Sequence, residues 1–423
     1  MSDTIFAVSS GNPPAAIAVM RISGPGADAA LSVLTTRLPE PRYAALRQLR
    51  SGKEQLDSAL VVRFPGPDSA TGEDVVELHL HGGRATIAAV SAALANIPGL
   101  RPAEPGEFTR RAFENGCMDL SEAEGLSDLL AAETEHQRQS ALAMASGGLS
   151  RIVEGVRAEL LAASARVEAA IDFADEDDVS PWPERRTVLA AMAAQIETLL
   201  ANPPAERLRD GVRIAIAGPP NAGKSTLINV LVSREAAIVS PIAGTTRDVI
   251  EVPVALQGLP IVFIDTAGLR DETDDSIEAI GIARAEAIVA SSDLVIWLGE
   301  PEDAPNRAGV IAIRAKADLS GALDDQRLAV SAMTGAGIAV LVDTIVTRTK
   351  TLLPPPDAIA LNARQRACLI DLSAEARAAA TTDDLILSAE HLRLARLTLD
   401  RLTGRAGVED MLDALFGTFC IGK

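Results

Sequence analysis

Gly218-Pro219-Pro220-Asn221-Ala222-Gly223-Lys224-Ser225-Thr226 is the stretch on which the reading of this chain turns. It satisfies G-x-x-x-x-G-K-[ST], and its flanks agree with that motif: residues 212–217 alternate as a strand, and residues 226–234 have the pattern of a helix. Glycines let backbone N–H groups wrap phosphate oxygens without a Cβ in the way, and a helix N-terminus points partial positive charge at them. The lysine neutralises the β and γ phosphates, and Ser225 has the position of a Mg²⁺ ligand. Short apolar runs follow at 260–264, 294–298, 310–313 and 328–330, of the kind a parallel sheet buries. Residues 208–354 therefore read as a doubly wound, Ras-like α/β nucleotide domain.

Two further motifs sharpen this. The strand at 261–264 runs into Asp265-Thr266-Ala267-Gly268, a D-x-x-G that meets Mg²⁺ through solvent and brings a backbone N–H toward the γ-phosphate. Before it lies Ser240-Pro241-Ile242-Ala243-Gly244-Thr245-Thr246-Arg247-Asp248, a switch loop whose Thr246 reaches Mg²⁺ only while the γ-phosphate is present. Three elements in this order predict a GTPase of the translation-factor class. Base reading departs from N-K-x-D: the chain has Ala315-Lys316-Ala317-Asp318, in which Asp318 accepts from the guanine N1 and amino groups and Lys316 covers the ring. Ser331, Ala332 and Met333 follow as backbone donors to the base oxygen. The absent asparagine predicts weaker nucleotide binding, by about 1 kcal/mol for one hydrogen bond.

Hydrolysis needs an oriented water and positive charge at the transition state. Leu269 follows D-x-x-G where Ras-type enzymes carry glutamine, so another group must orient the water. Glu278 is the candidate, against an ordinary solvated carboxylate at a helix start. The charge can come from Arg247, from Arg270, or from a K⁺ held by Asn221 with Ser240, Ile242 and Thr245 of the switch loop.

Outward from this domain, residues 1–118 read as a smaller α/β domain, with strands at 17–22 and 74–81 and a helix at 27–38. Glu77, His79 and His81 alternate onto one strand face, which serves a polar surface, a small-molecule pocket or a metal. Residues 119–207 read as helices, opened by an S-x-x-E capping box at Ser121 and Glu124 and interrupted only at Gly147-Gly148. The acidic run at 172–178 is either a docking segment or a solvated connection. Helical patterning resumes over 355–423, so the nucleotide domain reads as an insertion in a helical one.

The formal net charge of -19 excludes an electrostatic clamp for nucleic acid spread over the chain, leaving any RNA contact to a local patch. A composition 48% hydrophobic and 3% aromatic suits long helices packed on apolar stripes. With neither an apolar leader nor a membrane-length stretch, the expectation is a cytoplasmic protein. Cys117, Cys368 and Cys420 lie far apart, which predicts neither a disulfide nor structural zinc.

With those residues in view the chain resembles the MnmE/TrmE tRNA-modification GTPases over essentially its whole length. The likeness is carried by Arg21-Ile22-Ser23-Gly24, residues 72–77 (GEDVVE), residues 101–113 (RPAEPGEFTRRAF), Ile171-Asp172-Phe173, the nucleotide motifs and the terminal Cys420-Ile421-Gly422-Lys423. The resemblance implies a homodimer paired through the N-terminal domains, whose nucleotide domains meet across K⁺ to hydrolyse GTP. It implies a partnership with the flavoprotein MnmG in a heterotetramer. Together they install an aminomethyl or carboxymethylaminomethyl group on C5 of wobble uridine in certain tRNAs. The one-carbon donor, 5-formyl- or methylene-tetrahydrofolate, would sit in the N-terminal domain, where Arg21, Glu77 and Lys423 match folate positions. Cys117 stands at a fourth such position, where many relatives have lysine or arginine. Cys420 matches the family's tail cysteine and is either a functional thiol or a small buried apolar residue. The competing reading is an Era- or Der-like switch in ribosome assembly; a nucleotide-binding scaffold without turnover is suggested only by Ala315.

Overall fold

The computed structural model describes residues 3–172, 182, 184–234, 250–266, 275–319, 327–406 and 409–423. They form two compact units, one built from residues up to 127 with 149–154 and 397–423, the other from 128–148 and 155–396. The fold is mixed α/β and all-α.

The first unit holds a six-stranded sheet of β1 (Thr4–Val8), β2 (Ile17–Ser23), β3 (Ala45–Ser51), β4 (Glu54–Phe64), β5 (Val75–His81) and β6 (Leu100–Pro102), ordered β3-β4-β5-β2-β1-β6. Only β1 and β6 pair in parallel. Alternation decides which face is buried. Met20, Ile22, Val61, Val76, Leu78 and Leu80 pack with Leu31, Leu34, Val90 and Leu94 of α1 (Ala27–Leu34) and α2 (Arg84–Ala95). The opposite face carries Arg21, Glu77 and His79. Helix α3 (Glu107–Glu114) supplies Arg111, buried and ion-paired with Asp3, Glu73 and Glu107. Burial opposes ionisation of Glu107, yet hydrogen bonds from Arg101, the Glu104 N–H and Arg111 hold its pKa below the usual carboxylate range.

Helix α4 (Leu120–Ala131) corrects the predicted cap. Glu122 N–H donates to Asp119 Oδ1 at 2.9 Å and Asp119 N–H to Glu122 Oε2 at 2.7 Å, so the capping box is Asp119 to Glu122, two residues early. The Ser121 hydroxyl is buried without a hydrogen bond. A second correction follows: Gly147-Gly148 is not the sole interruption. The chain breaks again before α5 (Glu135–Ala145), where Thr134 and Gln137 form a full capping box, and then resumes as α6 (Gly148–Asp172).

In the second unit α7 (Arg185–Leu200) and α8 (Glu206–Asp210) lead into the nucleotide domain. Its strands are β7 (Val212–Ala217), β8 (Ile250–Leu256), β9 (Leu259–Asp265), β10 (Leu294–Trp297), β11 (Val310–Arg314) and β12 (Leu328–Ala329), ordered β12-β11-β10-β7-β9-β8. The sheet is parallel except for edge strand β8, which joins β9 through a tight antiparallel turn at Gln257-Gly258 and had no counterpart among the expected strands. Helices α9 (Lys224–Arg234), α10 (Asp275–Ser291) and α11 (Ile338–Lys350) complete this domain, followed by α12 (Ala363–Thr381) and α13 (Leu385–Thr403); the end of α13 and α14 (Glu409–Gly417) belong to the first unit. The domain is an insertion. Helix α7 before it packs along α12 after it, Arg377 pairs with Glu197, and Arg366 donates to the carbonyls of Leu200 and Asn202 at the end of α7.

Candidate functional site

The phosphate loop leaves the C-terminal end of β7, with β9 on one side and β10 on the other, the crevice where open α/β sheets bind nucleotides. Gly218, at φ 150, lies where a Cβ would sit 3.1 Å from Leu298 Cβ, and Gly223 has φ 98. Lys224 is buried, its Nζ 3.0 Å from Gly218 O and 2.9 Å from Pro219 O. Ser225 Oγ donates to Asp265 Oδ2 at 2.7 Å, which joins the first motif to the second. Thr266 is buried and gives its hydroxyl to Ile216 O at 2.8 Å, a bond that ties the end of β9 to β7.

Beside the loop a cavity of about 210 Å³ is lined by Gly223, Lys316, Asp318, Ala332 and Met333, with Ala315 at its wall. Lys316 Nζ donates to the backbone carbonyl of Asn221 at 2.6 Å, and Asn221 itself has φ 60. Ser331 is buried and its Oγ donates to Asp318 Oδ1 at 2.5 Å. The sequence pattern assigns Ser331 only its backbone; the signal for its side chain is a serine directly after an apolar strand, within hydrogen-bond reach of Asp318.

A second polar constellation lies on the face of the N-terminal sheet opposite α1 and α2, beside Phe108 of α3. Arg21 donates to Glu77 Oε1 through Nε at 3.1 Å and Nη2 at 3.0 Å, and its guanidinium sits 5.6 Å from the Phe108 ring centroid. His81 pairs with Asp57 at 2.7 Å. Burial raises the Asp57 pKa, but bonds from the His81 ring and backbone outweigh it and leave it below the usual range. Glu77 and His81 thus have protein partners, and among the described residues no group of three or more His, Cys, Asp and Glu is arranged to hold a metal.

The C-terminal segment returns to this domain. Phe416 and Phe419 are buried with Phe113, Leu120 and Leu412. Ile421 bridges to Pro105, and Ser9 Oγ donates to Gly422 O at 2.7 Å. Gly422 has φ 100, and a Cβ there would lie 2.0 Å from Val8 O, so only glycine fits. Val8 follows Ala7, the register partner of Arg21, so the tail ends against β1, the strand paired with the one that bears Arg21. Cys420 is exposed, which overturns the buried apolar alternative, and Cys117 is exposed too. Gly72 lies beside Cys117, with a Cβ position 3.0 Å from its Sγ.

A family model described as "GTP-binding protein TrmE N-terminus" matches residues 4–117, and one described as "MnmE helical domain" matches residues 120–420. The tRNA modification GTPase MnmE of Erythrobacter litoralis is 56% identical over 423 residues, covering 100% of both chains. That of Rhizorhabdus wittichii is 56% identical, covering 100% of this chain and 97% of its own. The chain belongs to the MnmE family of tRNA modification GTPases. It is a GTP hydrolase of that family. The solved G domain of the T. maritima FeoB iron transporter is 24% identical over 32% of this chain and 98% of its own, with TM-score 0.24.

Some of the residues expected of an MnmE-type site lie outside the described ones: Ser240, Pro241, Ile242, Ala243, Gly244, Thr245, Thr246, Arg247, Ala267, Gly268, Leu269 and Arg270, with the Glu278 side chain. The acidic run beyond Asp172 does as well. Among the described residues no helix is long and apolar enough to cross a membrane.

Proposed function

We propose that this chain hydrolyses GTP with Mg²⁺ and K⁺ and, with the flavoprotein MnmG and a tetrahydrofolate one-carbon unit, modifies C5 of wobble uridine in tRNA. The observation that carries the nucleotide half is the Ser225–Asp265 contact beside a base cavity that ends in Asp318. A hydroxyl and a carboxylate are hard oxygen donors that suit Mg²⁺, with Thr246 as the further ligand. The ion would screen the β and γ oxygens. Lys224 neutralises the same oxygens, Asp318 selects guanine, and Lys316 holds the Asn221 carbonyl so that this left-handed residue keeps its place at the loop's mouth. Asn221, with Ser240, Ile242 and Thr245, would hold K⁺, which would supply the positive charge an arginine finger gives elsewhere. Glu278 orients the attacking water.

For the second half, the Arg21–Glu77 pair on the sheet face opposite α1 and α2 supports a folate site, with Lys423 arriving on the tail and Cys117, beside Gly72, at a further matching position. Cys420, exposed at that tail, is available as a thiol. Exposed Tyr43 and Leu46 on the same domain support pairing into a homodimer. The protein acts in the cytoplasm on tRNA.

The first test is GTP turnover in K⁺ against Na⁺ buffer: a K⁺ rate at least about tenfold higher is expected, and equal rates remove the K⁺ site. The second is wobble-uridine analysis of bulk tRNA from a deletion strain, where unmodified uridine is expected. Normal modification would leave the switch-protein reading.

A further inference from the structure

His79 faces the same side of the sheet as Glu77 and Arg21. It stands in β5 opposite Val19 of β2 and Leu60 of β4, two residues from Glu77, which is itself opposite Arg21. Cross-strand partners and i, i+2 neighbours share a face, so the three side chains form one group. Leu60 is exposed and Val19 and Val62 are half-buried around it. The His79 ring is partly exposed, yet its Nε2 is buried and has no hydrogen bond. The nearest acid, Glu77 Oε2, is 3.6 Å away, beyond hydrogen-bond range, and Oε1 of the same carboxylate holds Arg21. A buried polar atom left without a partner is destabilising, and where a protein keeps one, a ligand or water completes it.

We propose that His79 is a ligand-binding residue whose Nε2 hydrogen-bonds the rim of a flat, nitrogen-rich heterocycle lying on this face beside Arg21 and Glu77. The inference rests on the folate reading above and adds a contact to the pterin ring that does not depend on charge. The surroundings favour such a ring: Val19, Leu60 and Val62 offer an apolar bed, and Glu77 and Arg21 offer an acceptor and donors at its edge. A neutral imidazole has one donor and one acceptor, and a pterin rim alternates both, so either tautomer finds a mate.

The test measures binding of 5-formyltetrahydrofolate by calorimetry to the full-length protein and to His79→Ala, His79→Phe and His79→Gln, with thermal melting of each. His79→Phe keeps a flat ring without the nitrogen, and His79→Gln places an amide donor and acceptor where Nε2 stands, without the ring. About tenfold weaker binding is expected for the alanine and phenylalanine variants, with the glutamine variant recovering most of the loss at unchanged melting temperature. Wild-type affinity in His79→Phe would mean that the ring only packs or meets water, and overturns the inference. Absence of binding by the wild type, with Arg21→Ala no different, would overturn the folate reading and this inference with it.

Discussion

Ser331 and Ala315 bear on the proposed base site in opposite ways. The Ser331 hydroxyl, buried and 2.5 Å from Asp318 Oδ1, also accepts the Thr334 N–H at 3.2 Å, so the Asp318 carboxylate, the proposed reader of guanine, is aimed by a group fixed at its far side. Ala315 offers only a methyl group, half-buried against the domain core. Base reading therefore concentrates on Asp318 and on whatever orients it. In Ser331→Ala the carboxylate loses its guide, and GDP affinity should fall about tenfold while the preference for guanine over adenine narrows. Fluorescent-nucleotide titration with both bases checks this, and an unchanged preference would show that Asp318 needs no orienting group. The phosphate loop was legible because its glycines and lysine sit at fixed offsets. The Lys316–Asn221 bond was not, because it joins residues 95 positions apart whose proximity only the fold creates.

At the scale of the element, α4 shows why caps are hard to register from sequence. Asp119 and Ser121 are both good N-cap residues, and both have glutamate three positions on, at Glu122 and Glu124. Burial decides between them: starting one turn at Asp119 turns Leu120 and Ala123 into the apolar cluster with Phe416 and Leu412. Asp119→Ala should accordingly cost about 1 kcal/mol, and Ser121→Ala, which removes an unpartnered buried hydroxyl, nothing or less. Urea melts would read the difference, and equal losses would return the cap to Ser121. The break before α5 carried its own signal in Thr134-Glu135-His136-Gln137. That first turn is also a junction. Gln137 Nε2 donates to the carbonyls of Leu208 at 3.0 Å and Arg209 at 3.3 Å, His136 Nε2 lies 2.8 Å from Pro354 O, and the His136 N–H reaches Gly258 O at 3.4 Å. One helical turn thus holds the incoming chain, the outgoing chain and the β8–β9 turn. Strand β8 escaped notice because an edge strand containing Pro253 lacks the continuous apolar run of its buried neighbours.

At the scale of the whole molecule, the N-terminal strands and the last residues of the chain meet in one unit, which is what lets a tail so far along the sequence take part in the proposed site near its beginning. The buried rings of Phe416 and Phe419 carry most of the attachment, with Phe113 and Phe416 centroids 6.3 Å apart and Phe416 and Phe419 6.1 Å apart. The last four residues add polar contacts: Gly106 N–H toward Cys420 O at 3.5 Å, the Pro105–Ile421 bridge and the Ser9–Gly422 bond. Anchor and terminus are therefore separable. Removing residues 420–423 leaves the aromatic anchor, so the melting temperature should drop by no more than about 4 °C, while 5-formyltetrahydrofolate binding should weaken at least about tenfold through loss of Lys423. Phe419→Ala should do the reverse in order of severity, costing about 3 kcal/mol of stability from the cavity it opens, with folate binding lost as the tail comes away. GTP turnover of the shortened chain should stay at the full-length rate, since the residues removed lie in the other unit from the phosphate loop. Folate affinity that survives deletion of residues 420–423 would separate the tail from ligand binding and leave its packing on Val8 and Pro105 as a structural latch alone.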